Sequence, residues 1–250
     1  MARPLLECPD HWHHGSLKPN PESKLIISVD SGGTPSTSDE EFWDGEILWL
    51  TPKEITNIGD SIYVSRTERA ITEKGLKNSA AKVFPPGTVM LTKRAPVGAV
   101  AINTVPMTTN QGFLNFQCGL KLRPLYLAYW FRVNKVYLNM VSNGSTYSEL
   151  YKSDLFEFEI AVPTLKEQDS ILNAISALQY TLLIGNALEQ SAKSPEEVIK
   201  LQRQDERLRA ICNSVLPNLF SGKLDSSKII TNFLDCKSLK PESKFLQLTL

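Results

Sequence analysis

Residues 163–179 read P-T-L-K-E-Q-D-S-I-L-N-A-I-S-A-L-Q, a capped start followed by a narrow apolar stripe. Ile171, Ile175, Leu178 and Leu182 recur at steps of four, three and four, the spacing of a helix that packs along one seam. Thr164 and Glu167 stand where a capping box requires them: the Thr side chain accepts from the N–H three residues on, and the Glu side chain reaches back. A second start follows at Ser194-Pro195-Glu196-Glu197, with proline where its missing N–H costs nothing. Its stripe is Val198, Leu201, Leu208, Ile211 and Val215. Phe220-Ser221-Gly222 places glycine at the expected stop, and Pro217 should kink or shorten the last turn. Two capped helices over residues 163–222 therefore predict a helical, coiled-coil spacer arm.

Upstream the pattern changes. Residues 25–29, 47–50, 61–64, 88–91 and 97–102 are short apolar runs separated by turn signals and read as strands. Residues 113–122 supply one or two more, residues 153–162 a last one, and residues 72–81 a short helix. Pro124 opens a helix rich in aromatics (Tyr126, Tyr129, Trp130, Phe131) that ends near Asn143-Gly144. The fold class expected is α+β: a mixed globule over residues 25–162, then the arm. Residues 1–24 read as a polar lead-in and residues 223–250 as a tail.

The chain has 250 residues, 42% of them hydrophobic and 22% charged, as in ordinary soluble proteins. No apolar run approaches the roughly 20 residues that span a bilayer, and residues 1–14 lack a signal-type stretch. Cys8, Cys118, Cys212 and Cys236 form no C-x-x-C pair. A cytoplasmic location with reduced thiols, and no membrane association, is the expectation. Net charge is zero, which argues against a free-standing nucleic-acid binder, but the charge is unevenly placed. Residues 31–52 carry Asp39, Glu40, Glu41, Asp44 and Glu46 and no base; residues 53–94 carry an excess of Lys and Arg.

An internal echo joins the ends. Ser16-Leu17-Lys18-Pro19-Asn20-Pro21-Glu22-Ser23-Lys24 returns as Ser238-Leu239-Lys240-Pro241-Glu242-Ser243-Lys244, a spacing of about 220 residues that suggests the start of a second copy of the same unit.

An ordered series of short motifs carries a family resemblance. It runs Ser31-Gly32-Gly33-Thr34-Pro35-Ser36, Phe42-Trp43-Asp44-Gly45-Glu46-Ile47-Leu48-Trp49-Leu50-Thr51-Pro52-Lys53, Gly75-Leu76-Lys77-Asn78-Ser79, Pro86-Gly87-Thr88-Val89 and Ala95-Pro96-Val97-Gly98. Thr108-Thr109-Asn110-Gln111-Gly112-Phe113, Gly144-Ser145-Thr146, Pro163-Thr164-Leu165-Lys166-Glu167-Gln168 and Leu219-Phe220-Ser221-Gly222-Lys223-Leu224 complete it. This resembles the DNA specificity subunits of type I restriction–modification systems. The resemblance implies a target recognition domain that reads bases in double-stranded DNA. It also implies a helical region that sets spacing and docks methyltransferase subunits, with restriction subunits as further partners. Full-length members carry two such units; this sequence contains one. It is expected to act as a half-subunit, as a homodimer or paired with a second half-subunit, or else to be a truncated product. A symmetric pair would read a palindromic split site.

Candidate DNA-contacting residues are Lys93, Arg94, Thr34, Asn110, Gln111, Ser145, Thr146, Arg66 and Arg69. Arg94 suits guanine N7 and O6 and Lys93 a phosphate; two solvated basic residues are the alternative. Asn110 and Gln111 suit adenine, yet motifs shared by members that read different targets favour a scaffold role: glycines for positive φ, Thr and Asn bonding their own loop.

Catalysis is expected from elsewhere. Pro9-Asp10 and Glu22-Ser23-Lys24 spell a P-D…E-x-K nuclease pattern, but they lie in the lead-in without strands to fix them. Cys8, His11, His13 and His14 could bind a metal, but a disordered polar tail is the stronger reading. There is no phosphate-binding loop, no glycine-rich cofactor fingerprint and no N/D-P-P-F/Y motif. No catalytic residue, metal or cofactor is assigned. A small Mg-dependent endonuclease with a coiled-coil arm and a protein-interaction adaptor remain the alternatives.

Overall fold

The structure is a computed structural model that describes residues 7–20, 22–58, 61–142 and 149–191, with residues 194, 196, 199, 215–223 and 226; for residues 180–191 it describes backbone alone. The chain divides into two compact units, Met1–Gln168 and Asp169–Leu250.

Within the first unit the elements are β1 (His13–Ser16), β2 (Ile26–Ser31), a 3-10 turn (Glu40–Phe42), β3 (Trp43–Leu50), α1 (Pro52–Asn57), β4 (Tyr63–Val64) and β5 (Arg69–Ile71). They continue as α2 (Glu73–Lys77), β6 (Val89–Thr92), β7 (Val100–Asn103), β8 (Thr108–Thr109), β9 (Phe113–Cys118), α3 (Pro124–Val133), α4 (Lys135–Ser142), α5 (Lys152–Phe156) and β10 (Glu159–Val162). A helix α6 (Leu165–Ser191) begins at the end of this unit. The class is α+β, as expected.

The largest sheet has the order β2-β9-β6-β7-β4, antiparallel except where β4 runs parallel to β7. β6 and β7 are buried at every position, so both faces of this sheet are covered, and alternation sorts the side chains between them. Met90, Ala101 and Phe113 join Leu50, Ile55, Val64, Phe84 and Met107 in one core cluster. On the other face Phe116 meets Phe131 of α3 at 5.1 Å between ring centroids, and α3 lies along β6 and β7. A second sheet, β5-β3-β8, carries a smaller core of Trp43, Trp49, Ile71 and Ala81. The two indoles pack edge to face at 5.0 Å.

Four expectations require correction. The loop expected between the strands at residues 47–50 and 61–64 holds α1, opened where the Thr51 N–H donates to Glu54 at 2.7 Å. The single helix expected from Pro124 to near Asn143 is two, α3 and α4, divided at Asn134, whose side-chain amide donates to the Trp130 carbonyl at 2.9 Å. Residues 12–17 are part of the fold rather than a polar lead-in: β1 pairs antiparallel with β10, from His13↔Val162 to Ser16↔Glu159, and Trp12 and Leu17 are buried. The single strand expected over residues 153–162 is α5 followed by β10. Asp154 accepts from the Tyr151 N–H at 3.2 Å and so starts a helical turn, although Phe156, Phe158 and Ile160 alternate with glutamates in strand fashion.

The capping box at Thr164 is present. The Thr164 N–H donates to Glu167 at 2.9 Å and the Glu167 N–H to the Thr164 hydroxyl at 3.4 Å. Glu167 also accepts from the Trp12 indole at 3.1 Å and contacts His11 Nε2 at 2.7 Å. Burial pushes its carboxyl up, but the donors at Thr164, His11 and Trp12 outweigh this and hold it at about 2. Gln168, fully buried, donates to the Lys121 and Pro163 carbonyls and accepts from the Arg123 N–H at 2.8 Å. These two residues fasten the first turn of α6 to the turn before β1 and to the segment that leads into α3.

In the second unit α6 continues to Ser191. Its 27 residues correspond to about 40 Å at 1.5 Å per residue. Ile171, Ile175 and Leu178 are buried as expected, and so are Leu172 and Ala174. At 100° per residue the buried arc, with Gln168, is about 160° wide, broader than the two-residue seam the spacing suggested. Val215 is half-buried on a helical segment that ends near Phe220, and Gly222 has φ +67°, the left-handed stop the sequence predicted. Ser170 and Ser226 are joined through their hydroxyls at 2.8 Å. The side chain of Leu182, and Val198, Leu201, Leu208, Ile211 and the echo at residues 238–244, lie outside the described residues. No described helix is long and apolar enough to cross a membrane.

Candidate nucleic-acid interface

Four separate stretches of the first unit are tied together by backbone hydrogen bonds. Gly33 N–H donates to the Thr109 carbonyl at 2.9 Å, Lys93 N–H to the Gly112 carbonyl at 2.8 Å, and Leu150 N–H to the Lys93 carbonyl at 2.8 Å. An antiparallel bridge pairs Arg94 with Glu149. The result is a belt running from residues 32–34 through 109–112 and 93–94 to 149–150. Five of the nine expected DNA-contacting residues sit on it: Thr34, Asn110, Gln111, Lys93 and Arg94.

The scaffold role expected for Gly32-Gly33-Thr34 is visible, with a different physical cause. Neither glycine has positive φ. A Cβ on Gly32 would lie 2.1 Å from the Thr109 carbonyl oxygen, and one on Gly33 would lie 2.3 Å from the Ala80 carbonyl carbon. Close approach of backbone to backbone, not left-handed geometry, demands glycine here. The Gly33 carbonyl accepts from the buried Trp49 indole at 2.9 Å, which locks the motif to the second sheet. Asn110 does bond its own loop, accepting the Gly112 N–H at 2.9 Å. The Thr34 hydroxyl instead crosses to the Gln111 side-chain carbonyl oxygen, and Gln111 is exposed.

Lys93 and Arg94 open the turn between β6 and β7, and both engage one carboxylate. Lys93 Nζ lies 2.8 Å from one Glu149 oxygen and Arg94 Nε 3.2 Å from the other. Lys93 and Glu149 are largely buried, their side chains 15% and 16% exposed, whereas the Arg94 side chain is 50% exposed. The Lys93 hydrogen bond holds the Glu149 carboxyl below its usual range; burial opposes this and Arg94 adds to it. Lys93 is thus a paired lysine rather than a free one, and the trio keeps a net charge of +1. No feature of the sequence marked Glu149, because its partners are more than fifty positions away.

The other candidates lie elsewhere. Arg66 is exposed between β4 and β5, on no strand of the belt. Arg69, in β5, stacks its guanidinium on Trp43 at 3.6 Å from the ring centroid, with Trp49 at 5.7 Å, a cation–π arrangement. Ser145 and Thr146 lie outside the described residues. Asp10 and Glu22, the carboxylates of the nuclease pattern, are exposed in turns rather than on adjoining strands. Among the described residues no group of three or more His, Cys, Asp and Glu side chains could hold a metal. His11 and His14 instead face Glu167 and Glu159.

Residues 24–194 match the family described as the type I restriction modification DNA specificity domain. The chain belongs to this family. The specificity subunit of the type I restriction enzyme MjaIX from Methanocaldococcus jannaschii is 45% identical over 170 residues, 67% of this chain and 39% of that protein. The EcoR124I/EcoR124II specificity subunit of Escherichia coli is 26% identical over 185 residues, 71% of this chain and 44% of that one. The chain therefore spans less than half the length of these relatives. In three dimensions it is similar to the HsdS subunit of Thermoanaerobacter tengcongensis, with a TM-score of 0.54 at 19% identity, over 89% of this chain and 48% of the other. The family match, residues 24–194, begins just before β2 and ends just after α6, so the belt and α6 both lie within it. The endonuclease alternative finds no support in these relatives, all of them specificity subunits.

Proposed function

We propose that this chain is a non-catalytic DNA-recognition and assembly component of a type I restriction–modification system. Its first unit reads one half-site of a split duplex target. The helices beyond residue 164 set the spacing and dock methyltransferase subunits, with restriction subunits recruited to the same complex. The second half-site falls to a second recognition unit. The observation that carries the reading is the coincidence of the family match with the belt that gathers Thr34, Asn110, Gln111, Lys93 and Arg94.

Chemistry assigns the roles. Arg94 offers two N–H donors in the plane that guanine N7 and O6 require, and Gln111 offers an amide that can accept from and donate to adenine. Thr34 and Asn110, already engaged in the belt, position it or reach phosphate. Arg69, held flat on Trp43, and Arg66 are phosphate contacts at the margin. Zero net charge leaves much of the electrostatic grip on the backbone to the partner subunits.

The test is selection from a library of random duplexes, with the chain alone and after adding a type I methyltransferase subunit. Weak binding with a shallow salt dependence is expected alone, and enrichment of a split motif once the methyltransferase is present. Failure to enrich any motif in either condition refutes the reading, as does tight sequence-specific binding by the chain alone. Mg²⁺-dependent cleavage abolished by Asp10→Ala would replace it with the nuclease.

A further inference from the structure

We propose that Glu149 is a specificity-determining positioning residue that orients Arg94 for base reading and withholds Lys93 from phosphate. The inference rests on the DNA-reading function proposed for this site and adds to it a carboxylate that touches no DNA. One Glu149 oxygen takes Arg94 at Nε and the other takes Lys93 at Nζ. The peptide on either side is pinned: the 94–149 bridge and the Leu150 N–H to Lys93 carbonyl bond fix the carboxylate to the same turn as the two bases.

Engagement at Nε has a geometric consequence. A guanidinium has two bidentate edges, one containing Nε and one made of the two terminal nitrogens. Glu149 occupies the Nε corner, so the terminal edge is the one presented outward by a side chain that is half exposed. That edge matches guanine N7 and O6. A long side chain held by a carboxylate also has less rotamer freedom left to lose on binding. The second consequence is electrostatic. Lys93, with its ammonium 2.8 Å from a largely buried carboxylate, is neutralised locally and contributes little to sequence-independent attraction. Glu149 therefore raises the ratio of specific to non-specific binding from both sides: it improves the base reader and silences the neighbouring phosphate contact.

The experiment uses the full chain with a type I methyltransferase subunit and the random-duplex library. Bound sequences are read for wild type, Arg94→Ala, Glu149→Gln and the Lys93→Gln/Glu149→Gln pair. Wild type should select a guanine at one fixed position, and Arg94→Ala should lose that preference. Glu149→Gln, nearly isosteric, should keep the motif elsewhere but reduce the guanine preference about tenfold, within the range of one bidentate contact. It should also steepen the dependence of log K on log salt by about one for a non-selected duplex, because Lys93 becomes available to a phosphate; the double variant should cancel that steepening. A purely structural carboxylate would lower the melting temperature without moving either the salt slope or the single-position preference, and that result overturns the inference. An unchanged preference in Glu149→Gln beside a lost one in Arg94→Ala overturns this inference alone. An unchanged preference in Arg94→Ala removes the base-reading role of Arg94 and this inference with it. If Glu149→Gln unfolds, Glu149→Asp, which retracts the carboxylate while keeping its charge, should weaken the guanine preference without steepening the salt slope; an unaltered preference there is equally fatal.

Discussion

Replacing Gln168 with methionine retains most of the side-chain volume and removes three hydrogen bonds at once. The amide donates to the Lys121 and Pro163 carbonyls at 2.9 Å each and accepts the Arg123 N–H at 2.8 Å, at a position with no solvent exposure. Water cannot readily replace it there, so each backbone partner loses a bond at about 1 kcal/mol or more, and the total is about 3 kcal/mol. With a urea m-value of about 2 kcal/mol/M, the midpoint should fall by about 1.5 M. Tryptophan fluorescence is a suitable readout because all four tryptophans, Trp12, Trp43, Trp49 and Trp130, belong to the first unit. Gln168→Glu should cost more at neutral pH: it keeps the acceptor for Arg123 but turns a negative oxygen toward two carbonyls. A midpoint shift below about 0.5 M for Gln168→Met, under about 1 kcal/mol, would mean that the amide is not a structural tie.

Three further outcomes are expected. Gly33→Ala forces a Cβ to within 2.3 Å of the Ala80 backbone and should cost about 3 kcal/mol or more, seen as lower melting with loss of DNA selection; a wild-type melting temperature contradicts the close-approach argument. Leu178→Asp puts a charge at a position only 2% exposed and should lower helical circular dichroism and capture of the methyltransferase far more than DNA contact by the first unit; unchanged sedimentation and capture count against a docking role. For Glu167 the folded carboxyl, at about 2, lies below its ordinary 4.5. Its contribution is therefore complete above about pH 4.5 and is lost as pH falls toward 2. The side chain is 35% exposed, so about 1 kcal/mol is the reasonable size after solvent screening. Glu167→Gln should flatten the acid limb of stability against pH, and parallel limbs in the two proteins would refute the assignment.

Local chemistry was legible in the sequence at several points, though the Thr51–Glu54 box that opens α1, equally local, went unread between two apolar strand signals. The Thr164–Glu167 box, the glycine stop at Gly222 and the aromatic helix opened by Pro124 all depend on interactions within a few positions and are found, although that helix ends at Val133 and a second begins at Lys135. β1 was not legible because only Gly15 of its four residues is buried; its pairing is supplied by β10, nearly 150 residues later. The turn α5 was hidden by the alternation of Phe156, Phe158 and Ile160, a strand signal that the Asp154 cap overrides locally. Of the candidate site, the sequence supplied Lys93 and Arg94 as a pair of bases but not the carboxylate between them. Chain separation conceals such a partner completely, whereas the burial of Lys93 makes it obvious in three dimensions.

The pairing of β1 with β10 has a further consequence. Chain enters the first unit along one strand and leaves it along the neighbouring one, stitched by an antiparallel register from His13↔Val162 to Ser16↔Glu159. A folded body whose doorways stand side by side can be lifted out and exchanged for another of like geometry without stretching what precedes or follows. Under the proposed function, swapping the body between such zipped ends while leaving the helices beyond residue 164 untouched would graft a new reading head onto an unchanged chassis.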